Sequence, residues 1–142
     1  MIRVNDTYEY KTKFTQQDVE AFAELTGDRN PLHINLDFAQ KSEYGREIVQ
    51  GVLIASAFSK VFGTMWPGTH DSIYISQDMM FHAAVFVDEE YLLKFECTNV
   101  DETRAIGTIA ASLVDKQGKE LVTLKARIKS LSQFSAPILN YI

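Results

Sequence analysis

The spacing of apolar residues changes near residue 68, from the period of a helix to the period of a strand. Before that point, a capping box of Thr15 and Asp18 predicts the start of one helix, and Gly27 predicts its end. A loosely alternating segment at residues 3–13 predicts a preceding strand, and residues 37–42 predict a short second helix. The first part of the chain is therefore expected to be a strand followed by a helical region.

Residues 50–62 form a segment with a different character, because few of them are polar. A helix built from this segment has almost no polar face, so we expect it to be buried nearly all round. Gly63 and the pair Pro67-Gly68 are expected to end it. Its apolar residues are Val52, Leu53, Ile54, Ala55, Ala57, Phe58, Val61 and Phe62.

The remaining apolar residues alternate in the manner of an antiparallel meander. Residues 105–114 are apolar on both faces, which suits a central strand, and residues 115–119 form a turn. A sheet that curls around the apolar helix explains both the buried helix and the alternating strands. This α+β arrangement, an antiparallel sheet around a long central helix, is the hotdog fold. The expected inward faces are Ile73, Ile75, Met79 and Phe81, then Tyr91, Leu93, Phe95 and Cys97, and finally Val122, Leu124, Ala126 and Ile128.

The size and charge of the chain narrow the functional classes. Its 142 residues correspond to a single domain, which we assign to residues 1–142. Hydrophobic residues make up 46% and charged residues 23%, a balance that excludes a disordered chain, a collagen-like repeat and a coiled coil. A net charge of −5 gives no general attraction for phosphate backbones, so no nucleic-acid partner is expected.

The cysteine, the histidines and the N-terminal residues indicate whether a metal site is expected and in which compartment the protein works. The single cysteine, Cys97, has no partner for an internal disulfide, as is typical of a reducing compartment. His33, His70 and His82 are far apart in sequence, so no metal site is expected. The N-terminus lacks an apolar signal core, and no apolar run reaches the ~20 residues of a membrane span. We therefore expect a cytoplasmic protein with no membrane partner.

The residues that could carry chemistry concentrate in the loop after the first predicted helix. Gly27 frees the backbone and Pro31 keeps Asn30 away from helical angles, so this loop is expected to be stiff and turned. Asp28 and His33 could then direct a carboxylate and an imidazole at one point, where they would hold and activate a water. The same residue types are also ordinary turn formers, so the spacing alone leaves both interpretations open.

A second candidate lies where the apolar helix begins, at Gln50 and Gly51. The first amides of a helix carry the positive end of its dipole, and a glycine lets a ligand carbonyl approach them, as in an oxyanion hole. Ser59 lies within about 80° of the same helical face as Gly51, at ~100° per residue. Alternatively, Gly51 is only a cap, and Ser59 only bonds the carbonyl of Ala55.

The segment Gly27-Asp28-Arg29-Asn30-Pro31-Leu32-His33 closely resembles Gly-Asp-x-Asn-Pro-x-His, the signature of MaoC-like (R)-specific enoyl-CoA hydratases. The resemblance continues in order at residues 44–46, 48–53, 72–74 and 85–87. It implies the hotdog fold and a dimer or dimer of dimers. It also implies reversible hydration of trans-2-enoyl thioesters to (3R)-hydroxyacyl thioesters, with an acyl-CoA substrate and no metal or other cofactor.

The resemblance further implies a role for individual residues. Asp28 and His33 would be the catalytic pair, and the Gly51 amide would bind the thioester carbonyl. Asn30 is interpreted as shaping the loop rather than reacting, and Ser59 falls where some members have a serine that supports the catalytic aspartate.

One segment departs from the family, which commonly has Pro-Ile-Val-His-Gly where this chain has Glu47-Ile48-Val49-Gln50-Gly51. An amide does not titrate near neutral pH, so Gln50 cannot exchange protons in the reaction. We expect Gln50 to support the site by donating a hydrogen bond beside the helix start. The alternative is that it merely caps the helix or faces water.

Three other functions fit the same residues. A (3R)-hydroxyacyl-acyl-carrier-protein dehydratase would perform the same chemistry on another carrier, and assays with both carriers distinguish the two. A hotdog thioesterase usually places a carboxylate on or near the central helix, whereas residues 50–62 contain no Asp or Glu. A non-catalytic acyl-CoA binding or assembly module would not need an intact Asp28 and His33, and turnover of crotonyl-CoA tests for it.

Overall fold

The computed structural model describes residues 1–136, which form one antiparallel sheet and several helices. The strand order in the sheet is β1-β3-β4-β5-β2. Within residues 1–136, no helix is long and apolar enough to cross a membrane. In chain order the elements are β1 Thr7–Lys13, α1 Gln16–Thr26, α2 Pro31–Ile34, α3 Leu36–Gln40, α4 Gly51–Thr64, β2 Ile73–Phe81, β3 Glu90–Asp101, β4 Ile106–Val114, β5 Glu120–Lys129 and α5 Leu131–Phe134.

The strands inside the sheet follow the predicted alternation. All four inward residues predicted in β3, and all four in β5, are buried. Strand β4 lies in the centre of the strand order and is buried on both faces over most of its length, as its apolar composition predicted. Helix α4 packs on this sheet through Phe58 and Phe62, whose rings both meet the ring of Phe95 in β3. The predicted sheet around a central helix is confirmed.

The predicted inward face of β2 is wrong in part, because a bulge interrupts its alternation. The pairing of β2 with β5 shifts register immediately after Tyr74. Tyr74 and Met79 therefore pack against the core, whereas Ile73, Ile75 and Phe81 are exposed. Strand β2 lies at the edge of the sheet, so Ile73 and Ile75 face outward beside an unpaired strand edge, whereas the Phe81 ring lies over Gly51 at the start of α4.

Helix α4 is longer and less buried than the sequence pattern predicted. It continues through Gly63 and ends at Thr64, so Gly63 does not terminate it. One face is buried, but Val52 is 69% exposed, and Ser59 and Lys60 on the same helix are also exposed. The expectation of burial nearly all round is therefore wrong within one chain, because the sheet covers only one side of the helix.

The helices before α4 are held by caps that the sequence partly revealed. The Thr15 hydroxyl accepts from the Asp18 N–H at 3.0 Å, and the Asp18 carboxylate accepts from the Thr15 N–H at 2.9 Å, which confirms the capping box. Gly27 ends α1 in the left-handed region with φ of 79°, as predicted. The short helix predicted at 37–42 corresponds to α3, and the single turn α2 was not predicted.

Candidate functional site

The loop between α1 and α2 forms because its residues satisfy one another's backbone groups. The Gly27 N–H donates to the carbonyl of Ala23 at 2.9 Å, which closes α1. Three residues on, the Asn30 side-chain oxygen accepts from the Leu32 N–H at 3.0 Å and so caps α2. Pro31 occupies the first position of α2, where its missing N–H costs no hydrogen bond. Asn30 therefore shapes the loop, and the resulting turn of helix carries His33.

The imidazole of His33 is buried and held in one orientation. Its Nδ1 lies 2.7 Å from the carbonyl oxygen of Ile48. Because a carbonyl oxygen only accepts, Nδ1 carries the proton in this bond, and neutral His33 presents a lone pair at Nε2. The backbone on either side is also tied, since the Ile48 N–H donates to Leu32 at 3.3 Å and the Gln16 amide donates to the His33 carbonyl at 3.1 Å.

The carboxylate of Asp28 lies on the exposed side of the same loop. Its Oδ1 accepts from the Asn30 N–H at 3.4 Å, the bond of an Asx turn. Among residues 1–136, no hydrogen bond joins Asp28 to His33, and Asp28 is not part of the pocket wall that contains His33. Asp28 therefore lies on the loop and His33 on the helix turn that follows it, and the two side chains do not bond to each other.

The start of α4 differs from the starts of the other helices. In α1, α2, α3 and α5 a capping side chain accepts from a first-turn N–H, whereas the side chain of Gln50 caps nothing in α4. Gln50 is instead buried, and its amide donates to the carbonyl of Val19 in α1 at 3.0 Å. The first-turn amides of α4, beginning at Gly51, therefore receive no side-chain acceptor, which leaves them available for an acceptor on a ligand.

A pocket of about 420 Å³ joins His33 to the start of α4. The segment before α4 is paired with the segment after β2, through a bridge between Ile48 and Phe86 and a bond from the Val49 N–H to the Val85 carbonyl at 2.8 Å. That pairing brings the end of β2 and the residues after it to the pocket that His33 also lines. The wall consists of His33, Tyr44, Ile48, Val49, Gly51, Ile54, Phe81, His82, Ala83, Ala84 and Val85. A larger groove of about 590 Å³ along β1, β3, β4 and β5 contains none of these residues.

Sequence reasoning missed three polar or aromatic residues of this wall, namely Tyr44, Phe81 and His82. The Phe81 ring covers Gly51, where an added Cβ would lie 2.9 Å from the ring carbon Cζ. His82 Nε2 lies 2.8 Å from the hydroxyl of Thr123 in β5. The position of His82 directly after an alternating strand was the available signal, because residues at strand ends commonly line sites.

Ser59 is exposed and lies outside the pocket wall. Within the described part of the chain it forms a hydrogen bond with neither Asp28 nor the Ala55 carbonyl, and the neighbouring Ser56 bonds the carbonyl of Leu53 at 2.6 Å. Residues 1–136 also contain no group of three or more His, Cys, Asp or Glu side chains placed to hold a metal ion.

Known proteins resemble this chain along most of its length. Residues 3–118 match the family model of the MaoC like domain. The chain is 38% identical over 117 residues to an (R)-specific enoyl-CoA hydratase of Aeromonas caviae, across 82% of this chain and 87% of the relative. It is 29% identical over 104 residues to a mitochondrial 3-hydroxyacyl-[acyl-carrier-protein] dehydratase of Arabidopsis thaliana, across 73% of this chain and 61% of that relative. It superimposes on the solved (R)-hydratase from A. caviae involved in PHA biosynthesis with a TM-score of 0.85 and 35% identity, covering 90% and 96% of the two chains.

Proposed function

The chain belongs to the MaoC-like domain family, and from this membership we propose that it is an (R)-specific enoyl-CoA hydratase. The reaction adds water reversibly to trans-2-enoyl-CoA. The water oxygen bonds to C3, a proton bonds to C2, and the product is (3R)-hydroxyacyl-CoA. The observation that carries the proposal is that the His33 imidazole and the uncapped start of α4 line one pocket.

The start of α4 is suited to the thioester carbonyl. When this oxygen accepts from the Gly51 N–H, the helix end withdraws charge from the conjugated system and makes C3 electrophilic. As water adds to C3, negative charge develops on the same oxygen, where the helix end favours it. A donor of this kind contributes on the order of 3–4 kcal/mol to stabilising the transition state.

His33 is suited to move the proton. With Nδ1 held by the Ile48 carbonyl, the lone pair at Nε2 accepts a proton from the attacking water, and the imidazolium then returns a proton to C2. Asp28 is assigned to hold and orient that water, a role supported by its place in the family signature rather than by a contact with His33. Ser59 is assigned to support Asp28, because it falls where some family members have a serine in that role.

The stereochemistry of the product tests the proposed reaction. With crotonyl-CoA we expect the (3R)-hydroxy product, because the chain is 38% identical over 117 residues to an (R)-specific enoyl-CoA hydratase. We also expect full activity in EDTA, since acid–base groups alone suffice for adding water to an activated double bond. Chiral chromatography of the product, with and without EDTA, is the measurement. A (3S) product, or activity lost on chelation, contradicts the proposal.

The acyl-carrier-protein form of the substrate is the second candidate. The similarity to the mitochondrial dehydratase of Arabidopsis thaliana favours it, because that relative is named for an acyl-carrier-protein substrate. Both reactions need the same carbonyl site and the same proton transfer, so the pocket residues fit either carrier. Comparing kcat/KM for one acyl chain on CoA and on acyl-carrier protein decides between them.

The exposed edge of the sheet supports a homodimer or a dimer of dimers. Strand β2 combines an unpaired edge with exposed Ile73, Ile75 and Met80, and long apolar edges are usually covered. A second copy covering this edge forms an isologous interface. We expect light scattering of the active enzyme to give at least twice the mass of one chain. A fully active enzyme with the mass of one chain would overturn this.

The substitution Gln50→His tests whether glutamine impairs the site. Gln50 Nε2 donates to the Val19 carbonyl at 3.0 Å, and a histidine ring N–H can make a similar bond. We therefore expect kcat to change by less than about tenfold, below ~1.4 kcal/mol, with no new limb in the pH–rate profile. A gain of about 10² or more would show that glutamine has crippled catalysis and that the chain is a degenerate binder.

A cytoplasmic location and the absence of a cofactor complete the proposal. The lone cysteine, Cys97, is buried and has no second cysteine to pair with, which suits a reducing compartment. The proposed reaction transfers no electrons, so the acyl-CoA is its substrate and no redox group is required.

A further inference from the structure

Three buried side-chain oxygen atoms, on residues that bond or adjoin the proposed site, have no hydrogen-bond partner among residues 1–136. They are Oε1 of Gln16, Oε2 of Glu47 and Oε1 of Gln50. Buried polar groups are normally hydrogen-bonded, so three such acceptors in one region require an explanation.

The orientations of the two amides are fixed by their donors. Gln16 Nε2 donates to the carbonyl of His33 at 3.1 Å, and Gln50 Nε2 donates to the carbonyl of Val19 at 3.0 Å. Turning either amide over would bring its oxygen against a carbonyl oxygen. Both side-chain oxygens must therefore point away from these carbonyls, and each needs a separate donor.

The three side chains come from two segments that meet, namely α1 and the residues just before α4. Gln16 and Val19 are three residues apart on α1, so they share one face of that helix, and Gln50 contacts the second of them. Glu47 precedes Gln50 by three residues, and its carboxyl lies against the Gln16 side chain. We define this group of Gln16, Glu47 and Gln50 as the amide–carboxyl cluster.

The cluster contacts both parts of the proposed site. The Gln16 amide bonds to the backbone of His33. Gln50 directly precedes Gly51, so its bond to α1 fixes the start of α4. A shift within the cluster therefore changes the distance between the imidazole and the thioester carbonyl site.

We propose that Glu47 is a positioning residue whose protonated carboxyl donates to an amide oxygen of the cluster and thereby orders His33 and the start of α4. A protonated carboxyl supplies the one donor that this set of side chains can generate for itself. The new bond would partner Glu47 Oε2 and one amide oxygen together. An ionised carboxylate would instead add another acceptor to a group that already lacks donors.

The surroundings of Glu47 favour the protonated form. Burial raises the pKa of the Glu47 carboxyl, the Gln16 side chain opposes part of that change, and the negative charge of Glu20 on α1 raises the pKa further. The folded chain therefore holds this proton to a higher pH than the unfolded chain does.

The stability of Glu47→Gln, measured against pH, tests the proposal without any assay of activity. Glutamine mimics the protonated carboxyl. In the original chain, stability from Glu47 falls as pH rises from the unfolded value of about 4.5 through the raised folded value, and the variant escapes that loss. The ratio of folding constants, variant over original, should therefore rise at least about threefold between pH 4 and pH 8. Glu43→Gln, which removes an exposed carboxylate from the same segment, is the control and should show no comparable rise.

A rise in this ratio supports a protonated Glu47, and a constant or falling ratio overturns it. A falling ratio would show that the carboxylate is the stabilising form. Direct titration of the Glu47 side-chain carbon by NMR should agree, with a midpoint above those of exposed glutamates. A midpoint among them would also overturn the proposal.

A second experiment measures catalysis and rests on the proposed hydratase function. Because the stability measurement needs no activity assay, failure of one experiment can be told apart from failure of the other. We expect Glu47→Ala to lower kcat about tenfold with little change in KM, because the reacting groups lose their relative placement. Glu47→Gln should restore kcat and make kcat depend less on pH than it does in the original enzyme. A Glu47→Gln enzyme as slow as Glu47→Ala at every pH, or a Glu47→Ala enzyme with unchanged kcat, would contradict the positioning role.

Discussion

Replacing His33 by alanine is expected to lower kcat by about 10² or more, and Asp28→Asn is expected to lower it by a similar factor. His33→Ala removes the Nε2 atom that we propose as the acceptor of the water proton, while the pocket and the start of α4 remain. Asp28→Asn keeps the shape of the side chain and removes its charge. Steady-state hydration of crotonyl-CoA, followed by loss of enoyl absorbance, measures both effects.

The double variant shows whether the two side chains act on one water. If they do, the enzyme with both substitutions should be little slower than the slower single variant, since the second change removes a group that no longer has a partner. Losses that multiply fully would contradict a shared water. His70→Ala and Asp37→Asn are matched controls, because both remove exposed side chains of the same types outside the pocket wall. They should leave kcat within about twofold of the original.

A near-normal single variant would remove that residue from the proposed mechanism. His33 lies buried in the pocket wall, whereas Asp28 is exposed and bonds only within its own turn. The Asp28 variant is therefore the stricter test of the mechanism.

Much of the sheet could be predicted because its inner strands face one core. From Tyr91 to Cys97 in β3 and from Val122 to Ile128 in β5, every second residue faces the core, so buried positions recur with a period of two. The inward face of β2 near Tyr74 was predicted wrongly, because a bulge after Tyr74 changes which side chains point inward. A bulge depends on the pairing with β5, and the local sequence of β2 carries no record of it.

The parts of the site that lie in one continuous segment could be predicted, and the parts that depend on long-range pairing could not. The loop from Gly27 to His33 carries its own turn chemistry, and the start of α4 is signalled by Gly51, so both could be found from local sequence. The part of the pocket wall formed by residues 81–85 could not be predicted, because the pairing of Ile48 with Phe86 joins segments that are distant in sequence. Gln50 shows the same limit, since its hydrogen-bond partner lies on α1.

Phe58→Ala is expected to destabilise the folded chain by about 3–5 kcal/mol. Phe58 is fully buried in α4, and its ring meets the edge of the Phe95 ring with 5.8 Å between centroids. Alanine leaves a cavity at this point, because a close-packed helix and sheet can collapse around it only in part. Chemical denaturation should show a lower midpoint with an unchanged m-value.

Phe38→Ala is the matched control for this packing effect, since it removes the same side chain from α3, where the ring is 50% exposed. Less apolar surface returns to water there and no cavity forms, so the loss should stay below about 1 kcal/mol. A loss at Phe58 no larger than at Phe38 would mean that this ring does not hold α4 to the sheet. Gly51 begins the same helix, so the proposed carbonyl site moves when that helix shifts. We therefore expect the folded fraction of the Phe58→Ala enzyme to show a raised KM for enoyl-CoA.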